Sequence, residues 1–275
     1  MKWVNKQHEG LRPAYELYVG RGFHEALACK TLTKGRLFIV SAGLGLIEDQ
    51  TKIPTYDLTI AKSSANVANR VVGEDFSQRH WWSAVSDQGF NKDGISGLIR
   101  RNTASLFCIS LPSTYLEMVM DDLGAIPIDL IGNVRIFSSE EGRRLLPEKL
   151  MHTWMPYDGR LDGADSPIPG TKADFSQRAM HHFLQHVAPR GGNDSQQDSE
   201  LVLECLKSMN HPRQPNRIRM TDTEIVSVMN RDFDVVGGTA SKMLTHLRRG
   251  LGIACEQSRF AQLFRDLKTK RTRAK

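Results

Sequence analysis

The stretch RLFIVSAGLGLI, residues 36–47, decides how the front of this 275-residue chain reads. Its first half, Arg36 to Ser41, is a short run of apolar, β-branched and aromatic residues, the pattern of a buried strand. Gly43 and Gly45 follow at once. Glycine there frees backbone N–H groups to approach a ligand, as in phosphate-binding turns. A tight strand-to-loop turn uses glycine equally well, and a G-x-G spacing without a third glycine or a Walker lysine does not separate the two.

Working outward, residues 13–32 read as one helix with Pro13 in its first turn. Residues 53–60, IPTYDLTI, are looser, and helices are expected over 74–86 and 93–101. SLFCIS (105–110) is a second buried strand, followed by a helix from Ser113, its expected N-cap, to Leu123. Residues 126–131 and 133–137 read as further strands, and 174–187 as a helix. Strands alternating with helices predict an α/β fold, a mainly parallel sheet with flanking helices. The expected domains are 1–188 (α/β), a polar linker at 189–199 and a basic helical region at 200–275.

Charge sharpens this division. The chain carries +6, yet residues 210–275 hold 14 Lys+Arg against 6 Asp+Glu, whereas the other 209 hold 23 against 25. Positive charge concentrated in this way suits a polyanion, because neutralising phosphates releases counterions. Thr221 and Glu224 form a capping-box pattern at the start of one helix (221–230), and Gly237-Gly238 separates it from another (239–251). Further helices are expected near 200–209 and over 257–268. The pair flanking Gly237-Gly238 reads as helix-turn-helix-like, offering Lys242, Arg248 and Arg249 to double-stranded DNA while the basic stretch 268–275 binds backbone phosphate.

Other classes are excluded. Hydrophobic residues make up 40% and charged residues 25% of the chain, values of a globular protein. No apolar run approaches the roughly 20 residues that span a bilayer, and MKWVNKQHEG has no apolar export signal. Cys29, Cys108, Cys205 and Cys255 lie scattered without a C-x-x-C pair. That argues against a disulfide framework or zinc cage and for reduced thiols in a cytoplasmic setting. His80 and His181-His182 lack metal-ligand spacing, so neither metal nor cofactor is expected. Serine-hydrolase, kinase and zinc-deaminase signatures are absent.

Three motifs carry a resemblance: Ala14-x-x-Leu17-Tyr18-x-Gly20-Arg21-x-Phe23, then Ser41-Ala42-Gly43-Leu44-Gly45-Leu46, then Ile53-Pro54-x-Tyr56-Asp57-Leu58-Thr59. In order and spacing they resemble the YaaA-like peroxide-stress proteins and their short relatives. Those relatives begin with a Cys-Ser-x-x-Lys turn, where this chain has only Asn5 and Lys6. The wider group is similar to proteins that recognise nucleobases or bind DNA, and includes the phage-defence DNA glycosylases of the Brig type. The resemblance implies a DNA glycosylase-like enzyme acting on modified phage DNA, or a non-catalytic DNA-binding stress protein. Breaking an N-glycosidic bond needs a carboxylate near the sugar, donors to the departing base and a pocket for an extruded nucleotide. Asp57 is the first candidate carboxylate, with Asp158 and Asp162 of PYDGRLDG next, unless these aspartates merely shape turns. Tyr56, Tyr157 and the Trp81-Trp82 pair are candidate stacking platforms. Asn5, Lys6, Ser41, Gly43 and Gly45 complete the expected substrate pocket, and Arg21, Arg160, Lys172 and Arg178 are expected near phosphates. Arg178 also has Asp174 four residues before it, the spacing of a helical ion pair.

Overall fold

A computed structural model describes residues 10–71, 76–191, 194–212 and 216–273. The chain divides into two compact units, Met1–Pro212 and Arg213–Lys275, and its architecture is mixed α/β.

In the first unit, β1 (Arg12–Pro13) leads into α1 (Ala14–Leu17) and α2 (Arg21–Thr33). The helix expected over 13–32 is thus two helices. Tyr18 is extended and Gly20 takes φ 107°, a left-handed value that favours glycine. β2 (Phe38–Ser41) turns through Ala42-Gly43-Leu44 into β3 (Gly45–Glu48), pairing Ser41 with Gly45 and Phe38 with Glu48. The sequence left this turn open between two readings; it is a hairpin, with Gly45 at φ 73°. β4 (Lys52–Ile53) pairs antiparallel with β1.

Then come α3 (Gln78–Gln88), α4 (Gly94–Arg101), β5 (Phe107–Ser110), α5 (Ser113–Met118), α6 (Met120–Gly124), β6 (Val134–Phe137), α7 (Glu140–Arg143), α8 (Phe175–His182) and α9 (Ser195–Lys207). β5 and β6 pair in parallel across the α5–α6 crossover, a βαβ unit of the expected kind. Around it the pairing is short: the sheets among the described residues are two-stranded, and β1–β4 and β2–β3 are antiparallel. The strand expected over 126–131 is a 3₁₀ turn, Ile128–Asn133, capped by Pro127, a residue that cannot donate to a ladder. The cap of α5 is likewise Pro112, with Ser113 already helical.

One core joins β2, α3, α4, α5, α6 and β6 through Trp82, Ile99, Leu116, Met118, Leu123 and Ile136. A second joins α2, α8 and α9 through Cys29, Phe137, Tyr157, Phe183, Val202 and Leu206. Helix α9 begins inside the segment expected to be a linker, and its Asp198, 3% exposed, pairs with the fully buried Arg135 of β6 at 2.6 Å.

The second unit contains β7 (Ile218–Arg219), α10 (Asp222–Asp232), α11 (Ala240–Thr245, continuing as a π-turn through Gly250), β8 (Ile253–Ala254) and α12 (Gln257–Arg273). β7 and β8 are parallel. The capping box forms, with the Thr221 N–H and hydroxyl both donating to Glu224 and the Glu224 N–H returning to Thr221. Gly237 and Gly238, at φ 83° and 62°, make the turn between α10 and α11. Ile225, Met229, Met243, Leu247, Phe260 and Phe264 form its core. Among the described residues no helix is long and apolar enough to cross a membrane.

Candidate functional site

In the first unit, the break between α1 and α2 turns Tyr18 towards the hairpin, where Tyr18, Ser41 and Tyr56 form a chain of hydroxyls. Ser41 Oγ accepts from the N–H groups of Gly43 (3.2 Å) and Leu44 (3.0 Å) and lies 2.6 Å from Tyr56 Oη. Tyr56 Oη in turn contacts Tyr18 Oη. Counting donors orients the chain. With both lone pairs of Ser41 taken by backbone N–H groups, its proton goes to Tyr56, the Tyr56 proton goes to Tyr18, and Tyr18 holds the terminal hydroxyl proton. Burial, then the neighbouring Tyr56, pushes the Tyr18 phenol well above its ordinary value; burial also raises Tyr56, against the hydrogen bonds of Ser41 and Tyr18. Both remain neutral donors. Glycine at 43 leaves room for the Tyr56 ring, which a Cβ would meet at 3.0 Å and push aside. The Tyr115 hydroxyl lies 3.1 Å from Thr59 Oγ1, and Trp81 Nε1 donates to the Ala42 carbonyl at 2.7 Å.

The expected carboxylates do not gather here. Burial alternates along the Ile53–Leu58 loop, so Tyr56 turns inward and the adjacent Asp57 is exposed. Asp158 caps the 3₁₀ turn Gly159–Asp162 through the Arg160 N–H at 2.9 Å and pairs with the Arg160 guanidinium at 2.9 Å. Burial opposes ionisation of Asp158, but Arg160 outweighs it and holds the carboxyl below its usual range. It is a poor proton carrier. Arg160 also donates to the Leu206 carbonyl, so it ties the turn to α9.

Asp162 belongs to a different construction. Arg178, fully buried, donates to Asp174 (2.7 Å), Asp162 (2.5 Å) and the carbonyls of Leu161, Ile168 and Thr171. All five of its N–H groups are consumed. Expected to face phosphate, Arg178 instead clasps the loop 161–174, and its pair with Asp174 is buried, not on a solvated face. Burial works against the Asp174 carboxylate, yet the Thr171 N–H, Arg178 and Arg21 hold its pKa below the usual range. Arg21, exposed on α2, reaches Asp174 at 3.1 Å. Lys172 is exposed.

Tyr157, expected as a stacking platform, is 2% exposed and its hydroxyl lies 2.8 Å from His182 Nδ1. Of the tryptophan pair, Trp82 is core and donates to Asp122. Asn5 and Lys6 lie outside the described residues. Among the described residues no group of three or more His, Cys, Asp or Glu is placed to hold a metal ion. Tyr18 has no role predicted from its motif, and the signal in the sequence that turns it inward is the helix break around Gly20.

In the second unit, Lys242, Thr245 and Arg249 are exposed at i, i+3 and i+7, while Met243 and Leu247 face the core. Nearby acids are engaged within the unit. Asp232 holds Arg231 and His246, Asp234 holds Arg271, and Asp222 holds Arg259. Among the described residues none pairs with Lys242 or Arg249. Arg248 differs from them: its Nε and one Nη donate to the Cys255 carbonyl at 3.0 and 2.8 Å, anchoring the end of α11 to β8.

The model of one protein family, described as "Family of unknown function (DUF6884)", matches residues 3–88. That segment holds Tyr18, Ser41 and Tyr56, while Asp158, Asp162 and the second unit lie beyond it. Comparisons with curated proteins and with solved structures found no match. Over its first third the chain is therefore similar to a family whose function is unknown.

Proposed function

We propose that this protein binds duplex DNA through its second unit. The observation that carries the reading is the exposed row Lys242–Thr245–Arg249 on the second helix of a two-helix turn, in a region of net charge +8 where Asp222, Asp232 and Asp234 are occupied by other side chains. A helix presenting cations and a hydroxyl on one face suits a groove lined by phosphates. The test is fluorescence anisotropy of the full chain with a labelled duplex at several salt concentrations. Binding that weakens steeply with salt is expected, and Lys242→Ala with Arg249→Ala lowers the salt slope by about 1.8. No binding at low salt overturns the reading.

Base excision by the first unit is the second reading, supported by the hydroxyl chain that ends in the Tyr18 proton. A departing base needs a hydrogen-bond donor at the atom that gains negative charge, and Tyr18 offers one, with exposed Asp57 beside Tyr56. Of the candidate carboxylates, Asp57 retains this role, because Asp158 and Asp162 are held by arginines. Incubation with normal and modified phage DNAs, followed by mass spectrometry of released bases, tests it. Activity equal to wild type in Tyr18→Phe and in Asp57→Asn would remove the assignment.

A further inference from the structure

Beside the exposed face of α11, the second unit has an open groove lined by Arg217, Arg219, Arg248 and Arg259, with Glu256 on its wall and Met220, Ala254 and Cys255 beneath. We infer that this groove is a phosphate clamp for a nucleic-acid backbone, a contact separate from the row on α11; it rests on the DNA-binding reading above.

The arginines differ in how they are held. Arg248 is anchored on the Cys255 carbonyl, and Arg259 on Asp222 at 2.6 Å and the Met220 carbonyl at 2.9 Å. These two are set before any ligand arrives, so they lose little rotamer freedom on binding. Arg217 and Arg219 are exposed at the β7 edge. Two apart on extended backbone, they project to the same side, roughly 6.6 Å from one another by the rise of a strand, a separation at which two guanidiniums can engage neighbouring phosphates of one strand. Four guanidiniums against the carboxylates of Glu256 and Asp222 leave a net positive groove. Every cation lining it is arginine, whose planar fork engages phosphate oxygens in pairs where lysine offers a point charge. The α11 row has one of each and lies along one helix face; the groove is built from β7, β8, the start of α12 and, through Arg248, the end of α11.

The test compares three full-length proteins: wild type, Arg217→Ala with Arg219→Ala, and Lys242→Ala with Arg249→Ala. Each is titrated with a labelled duplex across a salt series and, separately, with a labelled nucleoside triphosphate. Thermal unfolding confirms that both variants fold, as the exposure of all four side chains predicts. The inference expects the Arg217/Arg219 variant to bind duplex roughly ten- to a hundredfold more weakly, with its salt slope reduced by about 1.8. An unchanged slope in that variant, while the Lys242/Arg249 variant weakens, overturns the clamp and leaves the DNA-binding reading standing. Loss of triphosphate binding with unchanged duplex affinity also overturns it, by making the groove a free-nucleotide site. A wild-type protein that binds no duplex overturns both.

Discussion

At the scale of single residues, the molecule depends most on Arg178. A buried guanidinium with five protein acceptors balances its desolvation only while all of them are in place, and without it Asp162 would lose its cation while Asp174 would keep only the exposed Arg21. Arg178→Ala is expected to lower unfolding free energy by about 3–5 kcal/mol, measurable by urea denaturation. Arg178→Lys recovers only part of this, since an ammonium cannot reach five acceptors in a fork. The phenols offer a second measurement. Burial raises the pKa of Tyr18, Tyr56 and Tyr157, most strongly for Tyr18 and Tyr157, so in an ultraviolet titration these two of the five tyrosines should stay un-ionised through the range in which an exposed phenol titrates and ionise only on unfolding.

Among the elements, α9 is the one whose start local pattern did not reveal: its body lies in the helix expected over 200–209, but it begins at Ser195. Its first turn lies in a polar string that reads as linker, and what docks it is the ion pair of Asp198 with Arg135, 63 residues earlier. Asp198→Ala is expected to leave Arg135 buried and unpaired, detaching α9 before the rest of the first unit melts; hydrogen exchange of residues 195–207 would register this. Features with a short-range cause were legible. The apolar runs gave β2, β5 and β6, and Thr221 with Glu224 gave the start of α10. Those set by partners outside the local pattern were not: the arms of the Arg178 clasp beyond Asp174, the turn from α11 that sets Arg248 on the Cys255 carbonyl, and the groove that brings Arg217 and Arg219 together with Arg248 and Arg259. Asp158 as a turn-former was an open alternative, and its pairing with Arg160 two residues on was within reach of the sequence. The break in the first helix was carried by Gly20 alone, too little without the hydroxyls that draw Tyr18 away.

For the whole molecule, pH stability follows from His182. Burial first, then His186 and His181, lower its pKa from 6.5 to about 4. A base whose folded pKa lies below its unfolded value disfavours proton uptake by the native state. Its contribution is therefore complete above about pH 6.5 and is lost as pH falls towards 4, on the order of 2 kcal/mol. Denaturant titrations at pH 7 and pH 4.5 should show this loss in wild type and a smaller one in His182→Gln.

The Arg178 clasp also determines how the first unit would respond to a cut. Leu161 and Asp162 grip the guanidinium from one side of the loop, and Ile168, Thr171 and Asp174 from the other. A nick at the exposed Ala164-Asp165 bond would sever the chain without separating it, because each new terminus stays tethered to the same side chain. The fragments would travel together through a native gel and part only in denaturant, so one cation does here what a covalent crosslink does in other proteins.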